Sequence, residues 1–201
     1  MKALTLHQPY ASAIALGLKT IETRGYRTHH RGPIAIHAAS YMRPEYMSVI
    51  RDMPEADAAA FVAAGYEVGG KPSLIKLPQA CIVAIAAVVE VRPVESLLVH
   101  GDADDQEQYW GNYAPGRWGW ILSDIRRLAT PIPTRGFQGL WNWEPPADLQ
   151  FVSDSVPSVS ELRVASVTQS DSAASAPKRA GLLTACRLPR HINRPPFATS
   201  N

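Results

Sequence analysis

Residues 80–91, ACIVAIAAVVEV, are a nearly unbroken apolar run with no amphipathic periodicity, and they constrain the fold more than any other segment. A run of this length fits a strand covered on both faces, or one that curls into a small barrel. Its alanines, Ala84, Ala86 and Ala87, leave room for close neighbours. The apolar stretch Ala80 to Val89 is far short of the ~20 residues that a membrane-spanning helix needs. The expected core is therefore built around a central strand, and no membrane partner is expected.

The remaining segments fit around that strand. Lys2 to Leu6 reads as a strand, and Pro9 sits at a plausible first helical position, followed by Ala11, Ile14, Ala15 and Leu18 at helical spacing. Gly17 helps end the helix. Thr20 to Arg24 reads as a second strand, and Gly32-Pro33 is a turn before a third, Ile34 to Ala38. Residues 44–64 suggest two short helices, the second capped by Asp52 with Pro54 just inside. Gly65 to Pro78 reads as loop. After an acidic loop holding Asp102, Asp104, Asp105 and Glu107, the turn residues 110–117 precede a strand from Trp118 to Asp124. Pro131-Ile132-Pro133 breaks the chain, Gly136 to Glu144 is a last extended segment, and Pro145-Pro146 closes the domain. Six short strands with a few helices and no regular β-α-β alternation favour an α+β fold with a curled, mixed sheet.

Composition separates this domain from the C-terminal stretch. All five tryptophans and all seven tyrosines precede residue 147, whereas residues 147–201 hold nine serines and only Phe151 and Phe197 as aromatics. That stretch is expected to be a disordered tail. Residues 1–146 carry 14 Lys plus Arg against 14 Asp plus Glu, and the tail six against four, which gives the overall +2. A neutral domain has no global field for nucleic acid, so such binding requires a local basic patch with the acidic cluster elsewhere. Cys81 and Cys186 show no zinc spacing and no disulfide framework, and the first seven residues do not read as a signal peptide. The expected setting is cytoplasmic, and no cofactor or metal is expected.

Chemistry concentrates in one window. Gly17-Leu18-Lys19-Thr20-Ile21-Glu22-Thr23-Arg24 packs a lysine, a glutamate and an arginine into six residues, with His7-Gln8-Pro9-Tyr10 upstream and Tyr26 to Pro33 downstream. Such a mixture suits an anionic, planar ligand. Strand alternation places Glu22 and Arg24 on one face and Lys19 on the other, unless Lys19 lies at the strand opening and escapes the rule. On the first arrangement Glu22 and Arg24 form an ion pair of little worth, and on the second all three line a pocket. Gln8 and Tyr10 flank the helix mouth, where an amide can read a base edge and a ring can stack, although Tyr10 also suits a core. Arg117 suits either a phosphate clamp or a turn cap. His29-His30 reads as solvated loop, His37 as a core histidine, and Trp110 as a turn residue free to stack on a ligand. Lys19-Thr20 does not belong to a phosphate-cradling loop, because no glycine lies between residues 1 and 16.

Three separated segments together resemble one family: Gln8 to Ala11 with Gly17 to Arg24, Arg31 to Ala38, and Gly111 to Trp118 continued by Gln138 to Trp141. They are similar to the ASCH domain, over about residues 3–143 in order. The resemblance implies a small mixed β-barrel of the PUA-like kind and recognition of RNA or a nucleotide-like small molecule. It implies a ligand site at Gln8, Tyr10, Lys19, Thr20, Glu22, Arg24, His37 and Arg117. The resemblance also carries an enzymatic alternative, hydrolysis of N4-acylated cytidine or of single-stranded RNA, with Lys19, Glu22 and a second acid, Glu107, as catalytic candidates. Against this, Glu22 stands where the small amidohydrolases of the family carry a threonine nucleophile. A protein-interaction module is the third reading, with no partner named by the sequence.

Overall fold

The computed structural model describes residues 1–68 and 75–153. Eight strands occur among them: β1 (Lys2–Leu6), β2 (Ile21–Arg24), β3 (Gly32–Ala38), β4 (Glu67–Val68), β5 (Ile75–Lys76), β6 (Cys81–Pro93), β7 (Trp118–Pro133) and β8 (Leu140–Asn142). Six of these form one mixed sheet in the order β2-β7-β6-β3-β1-β8, curled into a half-barrel, and β4 pairs only with β5. The apolar run is central as expected, with β6 between β3 and β7. Its alanines face close neighbours: Ala84 and Ala86 are buried and stand opposite Ile36 and Ile34.

β1 and β3 pair in parallel while every other pairing in the large sheet is antiparallel. A parallel pair requires a long crossover. Residues 7–31 supply it, carrying α1 (Tyr10–Ala15) and β2, which is laid against β7 at the far edge of the sheet. The residues of the chemical window thus ride on the connection that the topology demands.

Several expectations change. Pro9 is the residue before α1 rather than its first, and Gly17 ends the helix at a φ of +71° that favours glycine. β7 runs unbroken through Pro131–Pro133, because those prolines lie at its end opposite Cys81 and Ile82 and bulges absorb the irregularity, one near Asp124 at φ +48°. Asp52 does not cap: it pairs with Arg51 after α2 (Met47–Arg51), and α3 (Glu55–Ala63) follows Pro54. The segment expected to be loop contains the short antiparallel pair β4 and β5. The acidic loop is helical: α4 (Val94–Val99) and α5 (Asp105–Trp110), the latter capped by Asp104, whose carboxylate accepts from the Glu107 N–H at 2.9 Å. Trp110 therefore ends a helix and is fully buried.

Past Pro146 the chain still packs: Phe151 bridges to Leu128, the backbone bonds Ala129 to Gln150 and Val152 to Arg127, and the Arg126 guanidinium lies 3.6 Å from the Phe151 ring centroid. The expected disordered tail lies, from residue 154 onward, outside the described residues. No helix among the described residues is long and apolar enough to cross a membrane.

Candidate functional site

A cavity of about 310 Å³ is lined by Thr5 to His7 of β1 and its exit, Tyr10, Lys19, residues 22–26, Tyr46, residues 110–112 and Arg117. Its volume is at the lower end of ligand pockets. β8 covers β1 only as far as Leu4, so the end of β1 is left to the cavity.

Lys19 sits at this cavity because it belongs to the turn, not the strand. Its N–H, like that of Leu18, bonds back to the Ala13 carbonyl of α1, and β2 begins only at Ile21. Strand alternation therefore does not bind it, and Lys19, Glu22 and Arg24 meet. The Lys19 ammonium, 1 % exposed, lies 3.4 Å from Glu22 Oε2 and donates to the Ile21 carbonyl at 2.5 Å. Arg24 Nε lies 2.9 Å from Glu22 Oε1 as an ion pair off the hydrogen-bonding axis, and its Nη2 donates to the Thr5 carbonyl at 3.1 Å. That last contact ties β2 to β1 across the cavity.

Arg117 enters from the turn before β7. Its Nε donates to Asn112 O and its Nη2 to Thr23 O. Burial lowers its pKa, opposed by the nearby Glu22 carboxylate and aided by Arg24. Arg117 therefore caps carbonyls, as one of its two readings expected, and it also lines the cavity. Counting formal charges, the lining has Lys19, Arg24 and Arg117 against Glu22.

The walls are aromatic. Tyr10 and Tyr46 meet edge to face at 5.2 Å, and Tyr46 also packs against His7 at 5.8 Å. His7 Nδ1 donates to the Tyr41 carbonyl, which leaves Nε2 to accept from Arg43 Nε at 3.2 Å. Trp110 contributes only an edge. Its ring stacks on Phe61 at 5.9 Å and meets Tyr109 edge-on, while its Nε1 donates to the buried Asp57 carboxylate at 2.9 Å. It is a wall rather than a stacking platform.

Four predicted residues lie elsewhere. Gln8 is fully buried and spent on backbone, donating to Pro78 O at 2.6 Å and accepting from Ser12 N. Thr20 turns away and donates its hydroxyl to Glu107 at 2.6 Å. Glu107 also accepts the Thr20 and Ile21 N–H groups, so this carboxylate anchors the start of β2 and does not line the cavity. His37, 1 % exposed, bonds through Nε2 to Thr134 O at 2.8 Å, its pKa lowered by burial, and it too lies outside the lining. His37 is a core histidine, as its residues alone suggested.

The sequence reading did not single out Tyr46, His7, Thr23, Asn112 or Tyr26 as site residues, although His7, Thr23 and Tyr26 stand in its chemical window. His7, Tyr26 and Asn112 lie within or beside the segments that carried the resemblance. Tyr46, in a 3₁₀ turn (Pro44–Tyr46) some twenty residues past β2, has no local signal.

Three crystal structures of an ASCH protein from Zymomonas mobilis are similar to this chain. The protein itself matches at 17% identity, over 81% of this chain and 93% of that one, with a TM-score of 0.39. Two single-residue mutants match at 17% identity, over 82% of this chain and 94% and 96% of theirs, with TM-scores of 0.39 and 0.38. No curated protein matches the chain. The ASCH domain profile matches residues 4–129, most of the described half-barrel, and the chain belongs to the ASCH domain family.

Proposed function

We propose that the cavity recognises a nucleotide unit, carried by RNA or presented as a nucleotide-like small molecule. The observation that carries this reading is the lining: three cations against one carboxylate, walled by the rings of Tyr10 and Tyr46, with the more exposed Tyr26 at its rim. Cations satisfy phosphate, and rings stack on bases at ~1–3 kcal/mol each. Membership in a family with a PUA-like fold, generally linked to RNA binding, supports it.

The roles divide by burial. Lys19, almost without exposure, holds Glu22 and the Ile21 carbonyl in place. Arg24 and Arg117, only partly buried, are the cations that meet a phosphate. Glu22, ion-paired with both Lys19 and Arg24, holds these cations in position and opposes an anion by its own charge. Hydrolysis is the weaker reading, because its second acid, Glu107, is consumed by the start of β2. We keep a cytoplasmic setting within this proposal.

The test is fluorescence anisotropy with a labelled single-stranded RNA hexanucleotide from about 50 to about 200 mM salt. Affinity should fall steeply with salt, and Arg24→Ala should weaken binding and flatten the log–log slope by about 0.7. Salt-insensitive or absent binding overturns the reading. Incubation with N4-acetylcytidine and with RNA, watching for cytidine or fragments, separates binder from catalyst.

A further inference from the structure

The cavity is not where the basic, aromatic surface ends. From Thr23 to Pro44 the chain carries Arg24, Arg27, Arg31 and Arg43 with His29, His30 and His37, and no Asp or Glu. In a domain whose charges balance only when this stretch is included, it is a segregated basic segment, and it leaves the cavity through residues 25–31, between β2 and β3. Gly25 and Tyr26 still line the cavity, and Arg27 follows directly. Tyr26 is 43% exposed, propped edge to face on the buried Trp120 at 5.6 Å, and its carbonyl accepts from Trp120 Nε1. The Arg27 guanidinium lies 5.4 Å from the centroid of the Trp118 ring. Trp118 is itself fixed opposite Arg24 in the β2–β7 register.

Hydrogen bonds hold this ledge in shape. Thr28 is buried and its hydroxyl accepts from the His30 N–H at 3.1 Å, while Arg31 donates to the Thr28 and His30 carbonyls at 3.3 and 2.8 Å. Among the described residues, no carboxylate pairs with Arg27. A partly open ring beside an unpaired, stacked guanidinium is the surface on which a second base and its phosphate settle.

Resting on the cavity reading above, we propose that Tyr26, Arg27 and Trp118 form a second nucleotide subsite. The ligand is then a single strand of at least two nucleotides, one unit in the cavity and its neighbour across the ledge. An isolated nucleotide fills only half of this surface.

Anisotropy competition with a mononucleotide and with a single-stranded RNA dinucleotide tests this. The dinucleotide should bind about tenfold more tightly, the increment of one stacked base. Arg27→Ala should bring the ratio of the two affinities close to one. Lys2→Ala removes one positive charge at the distant β1–β8 edge and should leave the ratio intact. Wild-type chain that binds mononucleotide and dinucleotide equally overturns the ledge and leaves the cavity standing. A preference that survives Arg27→Ala also overturns it. Failure of every length to bind overturns the cavity reading and the ledge together.

Discussion

Glu22→Gln should destabilise the fold while tightening the binding of an anionic ligand, two effects of opposite sign from one substitution. Glu22 is the only carboxylate in the cavity lining among the described residues, and it touches two cations, one of them almost completely buried. Glutamine keeps the volume and a hydrogen-bond acceptor but removes the charge. Breaking a buried pair by neutralising one partner costs ~3–5 kcal/mol, because the other charge is left uncompensated. Lys19 keeps its bond to the Ile21 carbonyl and the amide oxygen still accepts, so the low end applies, about 3 kcal/mol. In a domain of this size that is a fall in Tm of roughly 6–12 °C.

The effect on binding follows from Coulomb's law. A phosphate held about 6 Å from the carboxylate, at an effective dielectric of about 20 to 80, is repelled by roughly 0.7 to 3 kcal/mol. Removing that repulsion should tighten RNA binding about tenfold at low salt, and less as salt is raised. Urea denaturation with an unchanged m-value reads the first effect, and anisotropy on the same preparation reads the second. Stability within about 0.5 kcal/mol of the parent would refute the buried-pair argument. Weaker RNA binding would refute the electrostatic one and make Glu22 a direct ligand acceptor instead.

Two further outcomes depend on groups outside the cavity. Glu107→Ala strands the Thr20 and Ile21 N–H groups and should cost about 3 kcal/mol in urea denaturation, with Glu107→Gln milder; lost activity with intact stability would return Glu107 to a catalytic role. Burial, opposed by the hydrogen bond to Thr134 O, lowers the pKa of His37 from 6.5 in the fold. The unfolded chain binds the proton first as pH falls, so the stability contribution is present above 6.5 and is lost as pH drops below it. His37→Gln should flatten that acid limb in pH-dependent denaturation, and an unchanged limb assigns it to other groups.

What the sequence revealed and what it concealed have physical reasons. The central strand was legible because both its faces are covered, which leaves an apolar run that no surface element tolerates. Of β7 only the first half, Trp118 to Asp124, was legible, because much of the far half is solvent-facing and runs through Asp124, Arg126 and Arg127, while its end carries two prolines. The helix α5 was announced by Asp104 three residues before Glu107, a capping pattern masked by the surrounding acids. Among site residues, Lys19, Glu22, Arg24, Tyr10 and Arg117 were found at the cavity. Gln8, Thr20 and His37 were not there, because residue type cannot say whether a polar side chain is already spent on backbone. Gln8 satisfies Pro78 O and Ser12 N from two distant segments, a contact that only the folded chain defines.

Unpaired backbone also explains why charge is dense at β2. As an edge strand, β2 pairs with β7 on one side and leaves the outward groups of Ile21 and Thr23 without strand partners, a template for unwanted strand addition. Side chains close that edge: Glu107 takes the Ile21 N–H, Lys19 takes the Ile21 carbonyl, and Arg117 takes the Thr23 carbonyl. Part of the charged cluster is therefore there to finish a sheet, whatever ligand the cavity holds. Lys19 is the most committed of these groups, being buried, bonded to backbone and paired with Glu22. Its replacement will disturb the strand before it reports on a ligand. Arg24 reaches across the cavity instead, and its one backbone bond is to Thr5 on the opposite wall, which makes it the cation whose loss reads binding most directly.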